Sequence, residues 1–240
     1  DSANGLEETN TVEKSGVPTG PSSVIFSDNF EGGNLGWTFA KGSPAATLGD
    51  FIIGDPVGTT GNYGDNSQPE DDHTPSPGVN CMYTAANPTA GAGTDDVDNG
   101  EVVTTSPAFS GSGYDSVSLS LWRWFFNEDT DDAGDYYILE VSNNNGTSWT
   151  ELESIPDTVL GTNSWNQVSF NLEDFVTLTS TMRIRMRVAD GTAVGDLIEA
   201  AFDDIVITGF STCTTSGACA SVSATISSAT PNPACTGQNI

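Results

Sequence analysis

The chain has 240 residues, a span that suits one large β-sandwich with flanking segments or two smaller units. Its 33 acidic residues against 6 basic ones give a formal charge of −27. That balance excludes nucleic acid as a partner, because phosphate neutralisation needs clustered Lys and Arg, and it disfavours anionic membranes for the same reason.

Residues 1–22, Asp1 to Ser22, are polar and read as a tail or linker. No apolar run approaches 18 residues, so membrane insertion is not expected. No signal peptide is visible, and the polar start is the one expected of a mature protein, secreted or at the cell surface, whose leader has gone. The pattern changes at Ser23, where a sandwich module is expected over 23–210. Val24–Phe26 and Trp37–Phe39 are apolar runs with Gly32-Gly33 between them, and Phe51–Ile53 is closed by Gly54-Asp-Pro56. Residues 57–100 form a long polar region in which only Val79–Thr84 reads as a strand; a loop of this length inside a compact domain is normally functional or ordered by a metal.

The second half alternates more plainly. Val117–Trp124 alternates as a half-buried strand does, placing Trp122 and Trp124 on one face and Arg123 on the other; two indoles on one face suit a core. Tyr136–Ser142, the turn Asn143–Gly146 and Ser148–Leu152 make a hairpin signature. Trp165–Leu172, Met182–Val188 and Ala200–Thr208 complete the set. Many short strands with frequent turns and no helical periodicity predict an all-β antiparallel sandwich. Residues 211–240 shift to Ser, Thr, Ala and Cys and read as a linker and the truncated start of an Ig-like domain. Cys213 and Cys219 flank a short loop and are the expected disulfide; Cys235 would find its partner beyond Ile240, and Cys81 is left as either a buried thiol or a bridge.

Four acidic clusters offer the hard oxygens that calcium takes: Asp28 with Glu31; Asp71 and Asp72, with Asp65 as a further candidate member; Asp95, Asp96 and Asp98; and Asp203 with Asp204. The first and last lie at opposite ends of the module, and a sandwich commonly sets its terminal strands side by side. Strand alternation lets only one of Asp203 and Asp204 point inward. Asp135, closing the acidic run from Glu128, is a further candidate. His73 is the single histidine, which rules out a multi-histidine zinc site, and no Gly-x-Ser-x-Gly elbow exists to build a triad around it. Arg183, Arg185 and Arg187 share a strand face; they pair across strands with acids such as Glu140, Glu151 or Glu153, or bind an anionic glycan.

The order Phe30-Glu31, Trp37, Gly54-Asp-Pro56, Asp72-His-Thr74, Cys81, Asp96-Val-Asp-Asn-Gly100, Thr105–Phe109, Trp122-Arg-Trp124, Asn143–Trp149 and Glu199–Asp204 resembles the MAM-like, immune-inhibitor-A-like jelly-roll accessory domains of secreted bacterial peptidases and surface proteins. The resemblance covers residues 23–209 and implies a non-catalytic jelly roll with structural Ca2+. It implies Glu31 and Asp204 as ligands, with Asp203 as second choice. The expected role is adhesion, glycan binding or support of a neighbouring domain. Two alternatives are a filament subunit that self-assembles by strand addition and a glycoside-active enzyme using paired carboxylates.

Overall fold

The computed structural model describes residues 19–62, 64–84, 92–128, 134–191 and 197–212. The expected all-β architecture is what it shows, a jelly-roll sandwich whose named strands all pair antiparallel. The strands are β1 (Thr19–Asp28), β2 (Thr38–Lys41), β3 (Ile52–Gly54), β4 (Thr59–Thr60), β5 (Asn66–Gln68), β6 (Cys81–Tyr83), β7 (Gly100–Thr105), β8 (Ser116–Asn127), β9 (Tyr136–Ser142), β10 (Thr150–Pro156), β11 (Thr162–Asn171), β12 (Arg183–Asp190) and β13 (Ile198–Thr212). One sheet runs β11-β8-β13-β6-β3, with β1 also on β13; the other runs β10-β9-β12-β7-β2; β4 and β5 form a small hairpin. The first and last strands are therefore neighbours, with Asp28 opposite Ile205.

The alternating runs supply the core. Val117, Leu119 and Leu121 of β8 turn inward while Ser118 and Ser120 turn out. They meet Tyr137, Leu139 and Val141 of β9 and Ile184, Met186 and Val188 of β12, all buried. Each such side chain contributes about 1.5–3 kcal/mol by leaving water. Arg123 continues the inward parity of β8. It survives there because Glu153 of the opposite sheet takes its Nε and Nη2 at 2.8 and 2.6 Å, a bidentate pair that offsets the cost of desolvation.

Several expectations change. Trp122 and Trp124 do share a face, but it is the outer face of the sheet, away from the inter-sheet core. β7 was not expected; it follows a long polar region and its Glu and Thr residues mask the pattern, yet it sits between β2 and β12. Two short strands, β4 and β5, also lie within 57–100. β1 begins at Thr19, so pairing starts ahead of Ser23. Arg185 does pair with the expected Glu140 directly across the strands at 2.5 Å, whereas Arg187 pairs with Glu101 of the flanking strand, which was not expected. Arg183 bonds Asn145 Oδ1 and the Ser106 carbonyl. Cys81 is a free buried thiol, and burial pushes its pKa well up. Cys213, Cys219 and Cys235 lie outside the described residues, as do residues 1–18 and the start of the expected Ig-like segment.

Candidate functional site: two acidic clusters beside the long loop

The segment between β3 and β6 crosses the outer face of the first sheet and packs on the two indoles. Trp124 Nε1 donates to the Ser67 carbonyl at 2.8 Å. The His73 ring stacks on Trp122, centroids 3.7 Å apart, and Trp165 of β11 stands edge-on to both His73 and Trp124.

Carboxylates fasten the same segment. Asp203 faces Trp122 and Val206 faces Ser120, so β13 carries one residue more than its partner, a β-bulge. Asp204 occupies the bulge at φ 49°, a left-handed conformation that Asp tolerates better than most residues. The bulge overturns the alternation argument, because both side chains turn outward beneath the loop. Asp203 Oδ2 accepts the amides of His73 and Thr74 at 2.8 and 3.0 Å. Asp204 meets His73 Nδ1 at 2.7 Å and the Thr74 hydroxyl at 3.0 Å. Glu31 accepts the amides of Val79 and Asn80 at 2.9 and 2.7 Å; the Asn80 amide leads in holding its carboxyl below the usual range. Asp72 joins them. Burial, then the charges of Glu31 and Asp204, raise its pKa, and its Oδ2 is buried with no hydrogen-bond partner. Burial pushes Asp203 to about 6 despite its amide donors.

Asp28 stands apart from this group in role. Its Oδ1 accepts the Phe30 amide and its Oδ2 the Trp37 indole N–H, at 2.8 and 2.9 Å. Those bonds hold Phe30 at φ 58° and spend both oxygens on neutral donors.

A second group lies where β7, β9 and β13 begin and β12 ends. Glu199 and Asp203 are four residues apart on β13, so the groups are separated by about 13 Å along the strand. Asp96 is 1% exposed, and among the described residues neither of its oxygens has a hydrogen-bond partner in another residue. Burial, then Asp98, lifts it to about 7. Glu199 accepts the Thr84 hydroxyl at 2.6 Å and is pushed to about 8, first by burial and then, against that bond, by Asp96. Burial also raises Asp98. Asp190 accepts the Asn99 amide at 2.6 Å, and Asp135 accepts the Gly191 amide at 2.8 Å. Sequence reasoning placed Asp96, Asp98 and Asp135 among the candidates and missed Glu199 and Asp190. The apolar stretch opening at Glu199 was the one available signal.

Among the described residues no three His, Cys, Asp or Glu side chains form a ready-made metal cage. Calcium needs fewer, since carbonyls and water complete its six to eight oxygens. Beside the first group is an open cleft of about 340 Å³ whose walls include Asn66, Glu70, Asp71, Trp124, Asn163 and Trp165.

No family model matches the chain, and no curated protein matches it. Solved structures do. The K3 cleaved adhesin domain of Lys-gingipain from Porphyromonas gingivalis W83 is 18% identical, covering 78% of this chain and 99% of that one, with a TM-score of 0.47. The K1 domain of the same protein is 17% identical over 78% and 98%, at 0.43. The xylan-binding domain CBM22-1 from Paenibacillus barcinonensis is 12% identical over 80% and 97%, also at 0.43.

Proposed function

We propose that this chain is a non-catalytic extracellular β-sandwich module whose long loop is pinned by calcium and whose loop-built surface serves adhesion through a glycan. The observation that carries the calcium reading is the convergence of Glu31, Asp72, Asp203 and Asp204, from the turn after the first strand, the loop and the last strand, with a buried Asp72 oxygen left unpartnered among like charges. Like carboxylates at close quarters disfavour ionisation unless a cation joins them. Calcium bound only by the folded state stabilises by mass action, about 2.7 kcal/mol at a hundred times its Kd. Thermal unfolding in calcium and then in excess chelator tests this. The midpoint falls on chelation, and falls less in Asp72→Asn; an unmoved wild-type midpoint sinks the reading.

The glycan reading turns from the arginine stripe to the cleft. The guanidiniums of Arg185 and Arg187 are occupied by Glu140 and Glu101. The cleft beside Trp165 has acidic walls, which repel an anionic sugar and leave neutral hydroxyls as the suitable donors. A glycan array run with the full chain and with Trp165→Ala decides it: neutral glycans bind, and the substitution abolishes the signal. The glycosidase alternative loses support because the acids pushed furthest up in pKa, Asp96, Asp203 and Glu199, are 1%, 0% and 2% exposed, too buried to meet a glycosidic bond.

A further inference from the structure

We propose a second divalent-cation site, independent of the first, in which Asp96 and Glu199 supply carboxylates to calcium at the end of the sandwich where β7, β9 and β13 begin. The site is more than an acidic cluster. Asp96 is 1% exposed, and both its oxygens lack a hydrogen-bond partner in any other of the described residues. A carboxylate so placed costs several kcal/mol unless a proton or a cation neutralises it.

No basic side chain of the described residues is available for that task. Lys41 is held by Asp50, Arg123 by Glu153, Arg185 by Glu140 and Arg187 by Glu101. Arg183 is turned to Asn145 and Ser106, and His73 is stacked on Trp122 against Asp204. The surroundings add negative potential instead: Asp96 feels Asp98, Asp190 and Asp95, and Glu199 feels Asp96 and Asp95. A divalent ion answers such an excess better than a monovalent one. Calcium suits the place better than magnesium, because it accepts an irregular shell of carboxylates, carbonyls and water, whereas magnesium demands a near-ideal octahedron.

The place also gives such an ion structural leverage. Val97 N–H donates to the Ile198 carbonyl, the Asn99 amide to Asp190, and the Thr84 hydroxyl to Glu199. An ion on Asp96 and Glu199 therefore ties the segment leading into β7 to the start of β13.

Calorimetric titration of CaCl2 into the chelator-stripped 240-residue chain tests the inference, with thermal unfolding alongside. The wild type is expected to take up two equivalents. Asp96→Asn loses one, Asp72→Asn loses the other, and the midpoint rise at a hundred times Kd, about 5–10 °C per site, shrinks accordingly. Glu199→Gln repeats the measurement should Asp96→Asn fail to fold. Uptake that Asp96→Asn and Glu199→Gln both leave unchanged overturns the second site, and if Asp72→Asn abolishes that uptake the first reading stands. A single equivalent lost with Asp96→Asn and kept by Asp72→Asn supports the second site and removes the first. No uptake by the wild type removes both.

Discussion

Asp203 and Asp96 are both buried aspartates on the loop-rich side of the sandwich, 0% and 1% exposed. Asp203 gathers the amides of His73 and Thr74, with His73 and Thr74 side chains engaging its neighbour Asp204. Asp96 gathers nothing from another of the described residues. Burial raises both pKa values, to about 6 and about 7; at Asp203 the amides of Asp204, His73 and Thr74 oppose the rise against one acid, Asp204, that adds to it, whereas at Asp96 only its own amide opposes Asp98, Asp190 and Asp95. A buried carboxylate is thus not one kind of object. With amide donors it is a fastener that the fold supplies for itself, with or without a cation beside it; without them it is a demand for a proton or a metal.

The sharpest break of this comparison is substitution at the fastener. Asp203→Ala strands two amides beneath the loop. At about 1.5–3 kcal/mol for each hydrogen bond to a charged group, a loss of about 3 kcal/mol or more is expected, lowering the midpoint by roughly 6–12 °C. Limited proteolysis should then cut between residues 69 and 80, and resistance there would show that the loop is held by something else.

Next is pH in metal-free protein. Glu199 and Asp96 have folded pKa values of about 8 and about 7, above their ordinary values, so between roughly pH 4 and 8 the folded state binds more protons than the unfolded one. Stability therefore falls as pH rises through that window, and calcium reverses the trend at its upper end. A chelated protein whose midpoint climbs from pH 5 to pH 8 contradicts the assignment. Glu199→Gln should flatten the fall.

A smaller effect separates the two aspartates by sign. In chelator at pH 8, Asp96→Asn removes an uncompensated charge at constant shape and should raise stability by about 1–2 kcal/mol. Asp203→Asn, which weakens bonds to two amides, should lower it. The same sign for both would erase the distinction. The smallest effect belongs to the outer face of the second sheet. Arg185→Ala gives up Glu140 and the Trp149 ring, 4.3 Å from the guanidinium carbon, and should cost about 1 kcal/mol.

The strands with clean alternation were legible. β8, β9 and β12 lie close to where the period of two put them, since a side chain every second residue must turn to the core. β7 was not, because Glu101 and its threonines read as polar although the flanking strands bury most of that segment. The convergence of Glu31 with Asp203 and Asp204 followed from the expectation that the terminal strands are neighbours. The direction of Asp203 and Asp204 did not, because a bulge leaves no mark in composition and reverses the parity of everything after it.

By itself, then, the order of residues determined an all-β sandwich, the inward faces of its long strands and the excess of acid over base. Those are local or additive properties, fixed by period and charge. Which acids find amides, which find only other acids, and that the two indoles serve as a floor for the loop were decided by tertiary structure alone. Hydrogen-bond donors come from chain segments up to 131 residues away, as His73 does for Asp204, and no local pattern encodes that meeting.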